Sequence, residues 1–159
     1  MMESKPSIFN KWFLFACISM YFGTGWSLIL FSFPIASTLT PANYYYCFVP
    51  QVTAATHFFT YMTALMCICA CIWIWQDWHQ KSKWFGIAIL FAVFLATALT
   101  LKFIIPYNVQ LANHVKDASL LKEILHNWMN LNIIRVSIWT VQWLIMVWYF
   151  IKNYKMTAS

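Results

Sequence analysis

The sequence predicts an all-α membrane protein: a four-transmembrane-helix up-down bundle with a short amphipathic helical segment before the last span. Three observations carry this. The 159 residues are 62% hydrophobic and 20% aromatic but only 9% charged, where a soluble domain carries about 25% charged residues. Four apolar stretches, at residues 12–35, 52–75, 84–105 and 133–151, each approach the ~20 residues that cross a hydrocarbon core as helix. Helices also satisfy every backbone group without water, and the alternating pattern of barrel strands is not seen. The length allows one domain, residues 1–159.

The elements follow in order. A short polar start leads into the first apolar run, which is long, contains Tyr21 and lacks a small-residue cleavage site, so it reads as a retained span. Ser19, Gly23 and Ser27 repeat every four residues on this span, and Ala88, Ala92 and Ala96 do so on the third. Small residues at that spacing let helices approach closely. Short connections favour antiparallel neighbours. The longer third loop holds Leu121, Ile124, Leu125, Trp128 and Met129 on one helical face. This segment either lies on the outer surface or extends the fourth span, with Asp117 or Ser119 as its cap.

The formal net charge is +6, yet its placement speaks against nucleic acid. Lys5, Lys11, Lys81, Lys83, Lys152 and Lys155 flank apolar runs as membrane anchors do. The first loop has no lysine, and Lys116 and Lys122 in the third are offset by Asp117 and Glu123. The positive-inside rule then puts both termini and the second loop in the cytoplasm, as a multi-pass protein of a bacterial inner membrane. The expected partners are the lipid bilayer, a lipophilic small molecule, and a second copy or the subunits of a membrane complex.

Function is sought where polarity enters the spans. His57, Lys102 and Arg135 are ionisable side chains in or beside apolar runs, and such residues usually face a bundle interior or a wet cavity. All three are expected in the outer third. Thr53, His57, Thr60, Tyr61 and Ala64 form one stripe on the second helix; Trp128, Asn132, Arg135 and Trp139 form another on the fourth if that helix begins early. Both stripes are expected to face inward. The spans contain no Asp or Glu, so Arg135 needs a carbonyl, an Asn, a loop carboxylate or an anionic ligand. Arg, Lys and His together suit a phenolate, enolate, carboxylate or lipid phosphate, with His57 as proton acceptor. Plainer readings stand beside this one: Lys102 snorkels to the headgroups, Arg135 anchors its helix, and His57 makes a structural hydrogen bond.

No metal site or cofactor is expected. Cys67, Cys69 and Cys71, with Met62 or Met66, are soft enough for copper(I), but cysteine and methionine at helical spacing ordinarily pack. Haem would require His57 to pair with His114 or His126. Five cysteines spread through the apolar runs do not form a disulfide framework.

Three segments carry a resemblance: GTGWSLILFSFP from Gly23 to Pro34, FIIPYNVQLAN from Phe103 to Asn113, and NWMNLNIIRVSIW from Asn127 to Trp139. Pro34, Pro106, Asn108, Trp128, Asn132 and Arg135 within them resemble the pattern of the anthrone-oxygenase-like family of small four-span membrane proteins. The resemblance implies oxidation of a polycyclic aromatic anthrone to a quinone by molecular oxygen. In that reading Arg135 stabilises an oxyanion and Asn108 and Asn132 bond the substrate carbonyl; His57 has no counterpart in the motif and rests on chemistry alone. The expected function is an oxidoreductase acting on a lipophilic aromatic or quinone-like molecule. Its catalytic residues would be His57 and Arg135, and its substrate contacts Lys102, Asn108, Asn132, Trp128 and Tyr61. The alternatives are a non-catalytic lipid, quinone or small-molecule binder or carrier, and an accessory subunit.

Overall fold

The computed structural model describes residues 5–157, with side chains described over 6–153. Four long helices follow one another: α1 (Pro6–Ala36), α2 (Tyr44–Gln76), α3 (Lys83–Ala112) and α4 (Ala118–Thr157). Each is long and apolar enough to span a membrane, with mean hydropathy of 1.4 to 2.4 in its apolar window. Backbones meet in ring order, α1 on α2, α2 on α3, α3 on α4 and α4 back on α1. The start of α1, the end of α4 and the 77–82 turn lie at one end, here the terminal end; the 37–43 and 113–117 connections lie at the other, the loop end.

The helices outrun the apolar stretches that predict them. α2 starts at Tyr44 and runs through Pro50, α3 runs past Pro106, and α4 starts at Ala118. Of the two readings of the amphipathic segment, extension of the fourth span holds: it forms the first turns of α4. Its apolar face has somewhere to go: Leu121, Ile124, Leu125 and Trp128 bury against Leu39, Tyr44, Phe48 and Leu111. Asp117 caps α4, its Oδ1 accepting from Ser119 N (2.8 Å) and Ser119 Oγ (2.7 Å). Those bonds, led by the Ser119 hydroxyl, hold the Asp117 carboxyl below its usual range. The cap is thus charged at neutral pH, and its contribution is lost as pH falls through that lowered value.

Two helices change pitch on the way. α1 contains a π turn at Leu28–Ser32 before Pro34, and α3 one at Thr100–Ile104 before Pro106. Proline lacks an N–H and its ring crowds the carbonyl four residues back. Here Phe33 N–H donates to Leu28 O and Ile105 N–H to Thr100 O. One widened turn in each helix absorbs the misfit and keeps the helix continuous.

The apolar core is in two parts. One, toward the terminal end, gathers residues such as Leu14, Ile18, Met66, Trp73, Ile89 and Met146. The other, at the loop end, is the cluster around Trp128 and Tyr44. Tyr44 ties that end, donating to Leu111 O (3.0 Å) and accepting from Val115 N (2.5 Å).

Two sequence expectations are corrected by the packing. The close approach of α1 is at Gly25, not along Ser19, Gly23 and Ser27: Gly23 and Ser27 are exposed, while Gly25 is buried. A Cβ on Gly25 would meet Val136 Cγ2 and Trp139 Cε3 at 2.9 Å, and one on Gly23 would meet nothing within 4 Å. Gly25→Ala is expected to cost about 1–3 kcal/mol through displaced Val136 and Trp139, whereas Gly23→Ala is neutral or stabilising. Melting both variants in detergent checks this; equal losses would contradict it. The alanine stripe holds better, since Ala92 and Ala96 are buried. Lys11, expected as an anchor at the membrane surface, is instead 1% exposed and pairs with Asp77 at 2.7 Å. The ammonium is held because Asp77 closes the end of α2 and reaches inward.

Candidate functional site

Between the two apolar clusters the bundle is hollow. A cavity of about 440 Å³ lies among all four helices, within the range of about 300–1,000 Å³ usual for small-molecule sites. The π turns border it through Leu28, Ser32, Thr100, Leu101 and Ile104. The turns that accommodate Pro34 and Pro106 thus form part of its wall.

α4 supplies its chemistry. Trp128, Arg135 and Gln142 fall at successive heptad positions, and all line the cavity. Asn132 sits behind Arg135, fully buried. It donates to Trp128 O (2.8 Å) and accepts from Arg135 Nη2. Trp128 Nε1 in turn donates to Asn108 Oδ1 on α3 at 2.8 Å. The remaining support for the guanidinium is thin. Nη1 reaches Thr100 Oγ1 at 3.5 Å, the group lies over the Trp139 ring at 4.8 Å, and Nε has no hydrogen-bond partner. Among the described residues no carboxylate pairs with it: Asp77 is taken by Lys11, and Asp117 and Glu123 are exposed.

One wall is aromatic. Tyr21 packs edge-on against Phe59 (4.6 Å) and Trp139 (4.8 Å), and its hydroxyl bonds Phe59 O and Thr63 Oγ1, each at 2.7 Å. The floor holds Gln142, 0% exposed, with neither its Nε2 nor its Oε1 partnered. A smaller lobe of about 210 Å³ adjoins, sharing Phe48, Val52, Thr56, Ile105 and Asn108 with the larger one.

The expected site residues separate into two groups. Arg135, Asn132, Asn108 and Trp128 come together as one hydrogen-bonded unit. His57 lines only the smaller lobe and is exposed. Tyr61 is 73% exposed and lines neither lobe. Lys102 is exposed beside the Phe103 ring (5.4 Å) and also lines neither. The α2 face toward the larger cavity is centred on Thr56, Phe59, Thr63 and Met66, about a third of a turn from the centre of the expected stripe, whose Thr60 also lines that cavity and whose Thr53 and His57 line the smaller lobe. Hydroxyl content misleads here because Thr53, Thr56 and Thr60 each bond the carbonyl four residues back. A threonine satisfied by its own helix can face lipid as readily as a cavity. Arg135 is about 25 Å along α4 from Ala118.

Gln142 and Tyr21 are the site residues that sequence reading misses. The signal for Gln142 was present, since it continues the Trp128–Arg135 row by one heptad. Tyr21 gave none beyond being a tyrosine in an apolar run.

Of the residues weighed for metals or haem, Cys69 is buried, Cys67 half-buried and Cys71 exposed. His114 stacks on Tyr45 (3.6 Å), and His126 bonds Asn130 (3.1 Å). Among the described residues no three His, Cys, Asp or Glu side chains are grouped to hold a metal ion. Compared with known proteins, the chain matches no family model, no curated protein and no solved structure.

Proposed function

We propose that the protein binds a lipophilic anion inside the bundle, with Arg135 as the counter-charge for an oxyanion head. The observation that carries this is a guanidinium facing an apolar-walled cavity without a carboxylate partner. A charge held away from water and left unpaired is costly, and a carboxylate, phenolate or enolate would take up the idle donors in the planar geometry that arginine favours. The aromatic wall of Tyr21, Phe59 and Trp139 suits a flat hydrophobic body behind that head. With both termini in a bacterial cytoplasm, as the lysine distribution argues, the smaller lobe and the loop-end cluster lie toward the outer leaflet.

The test compares an anion with its uncharged ester, 2-naphthoate against methyl 2-naphthoate, titrated into detergent-solubilised protein by tryptophan fluorescence. The anion is expected to bind at least about tenfold more tightly, one tenfold step being 1.4 kcal/mol. An ester that binds as well as the acid rejects the reading.

A second reading, catalysis, is favoured by the shared wall between the lobes, which puts His57 beside a molecule extending from Arg135 past Asn108. In the anthrone-oxygenase-like reaction His57 would take a methylene proton and Arg135 would hold the resulting oxyanion. Molecular oxygen would deliver one atom to the ring carbon, which becomes a carbonyl. The other atom would leave as water with the two methylene hydrogens. His57→Gln is expected to keep the affinity for 2-naphthoate while slowing oxygen uptake with an anthrone by about 100-fold, the scale of a lost general base. Unchanged uptake would remove His57 from the mechanism.

A further inference from the structure

The floor of the cavity is chemically unlike the Arg135 end, and the Arg135 reading does not use it. Gln142 is fully buried, lines the hollow and leaves both its donor and its acceptor idle. A buried amide with no partner is a destabilising choice that methionine or leucine would avoid at similar volume. On the same face of α4 it lies two turns below Arg135, about 10 Å along the axis. Trp139 stands between the two, with Tyr21 and Phe59 beside it, and all three line the cavity.

Resting on the reading of Arg135 as an anion site, we propose that the ligand is two-ended. It is a rigid, flat aromatic anion whose far edge carries a neutral hydrogen-bonding oxygen, and Gln142 selects for that oxygen. A fatty acid or other one-headed anion would place hydrocarbon against the amide and leave both of its polar atoms unpaired. A neutral hydroxyl or carbonyl at that edge uses the amide instead, and the aromatic wall between the two polar points keeps the body flat. Arg135 then sets affinity and orientation, and Gln142 sets which anions are accepted.

Discrimination by a hydrogen-bonding pocket is read from a pair of probes that differ in one oxygen: 2-naphthoate and 6-hydroxy-2-naphthoate. The protein as isolated is expected to bind the hydroxylated acid at least about fivefold more tightly, the low end for leaving a buried polar group unpaired. Gln142→Met, which keeps length and volume, is expected to bring the ratio close to one by removing the bond that favours the hydroxylated acid. It should also raise the melting temperature of the ligand-free protein, because two unpaired polar atoms leave the interior. A ratio near one in the unmodified protein, or the same ratio in Gln142→Met, overturns the proposal and makes Gln142 a water-solvated residue only. The unmodified protein alone gives the first of these results, so the conclusion does not depend on the variant folding. If both acids bind with equal affinity and both esters bind far less tightly, the two-ended ligand is rejected and the anion site stands. If neither acid binds better than its ester, the anion site itself fails.

Discussion

Replacing Arg135 by methionine is expected to weaken binding of 2-naphthoate by roughly 30-fold or more. Truncating one partner of a buried, hydrogen-bonded charge pair costs about 2–5 kcal/mol. The effect should be large because nothing else in the cavity carries a positive charge: Lys102 lines neither lobe. Methionine keeps the stem that packs between Asn132 and Trp139, so the ligand-free bundle should melt at the same temperature or higher, relieved of an uncompensated guanidinium. Arg135→Lys separates charge from shape. It restores a cation but not the planar fork, and an intermediate affinity is expected. Calorimetric titration of the three proteins at neutral pH measures the series; wild-type affinity in the methionine variant would remove the anion site.

The four spans and their antiparallel order were legible because hydropathy reads lipid exposure directly, and every helix here is apolar over a full membrane width. The ends were not legible, because they depend on tertiary contacts. Leu121, Ile124 and Leu125 leave a surface helix and an early start of the fourth span both open until Tyr44 and Phe48 are brought to meet them. The same division runs through the site. On α4 the row Trp128, Asn132, Arg135 and Trp139 was correct because a guanidinium and an amide in hydrocarbon have few places to go but inward. On α2 the threonines satisfied themselves on the helix backbone, which erased the polarity signal. His57 lies at the edge of the α2 face toward the cavity and lines only the smaller lobe. Lys11 failed for the opposite reason. A lysine near a chain end ordinarily reaches headgroups, and only the fold brings Asp77 to it.

The hollow itself follows from these local rules. Pro34 and Pro106 each follow a widened turn, and residues of both turns line the cavity. A cavity between two well-packed ends keeps its shape without ligand, since each end is held separately. The loop end is held by Tyr44 and the first turns of α4, and the terminal end by a buried ion pair.

That pair carries the second large effect expected. Asp77 Oδ2 receives Lys11 Nζ at 2.7 Å, Trp73 Nε1 at 2.9 Å and Ser82 Oγ at 2.7 Å. The ammonium also lies 5.4 Å from the rings of Trp73 and Tyr149. α1, α2, the turn into α3, and α4 therefore meet around one carboxylate. Asp77→Ala would leave the Lys11 charge buried beside two rings, and the expected loss of stability is about 3–5 kcal/mol. Asp77→Asn keeps oxygen for Trp73 and Ser82 while removing the charge, so it should cost less than alanine but still destabilise. Combining Asp77→Asn with Lys11→Met should recover much of the loss, because the desolvated charge leaves with its partner. Denaturant unfolding of the singles and the double closes the cycle; strictly additive losses would mean that the two side chains act independently. Ligand affinity gives the control. The pair lies beyond Met66 and Met146, below the cavity floor, so the folded fraction of each variant should bind 2-naphthoate as the unmodified protein does. A loss of affinity that tracked the loss of stability would show instead that the hollow is not held independently of the terminal end.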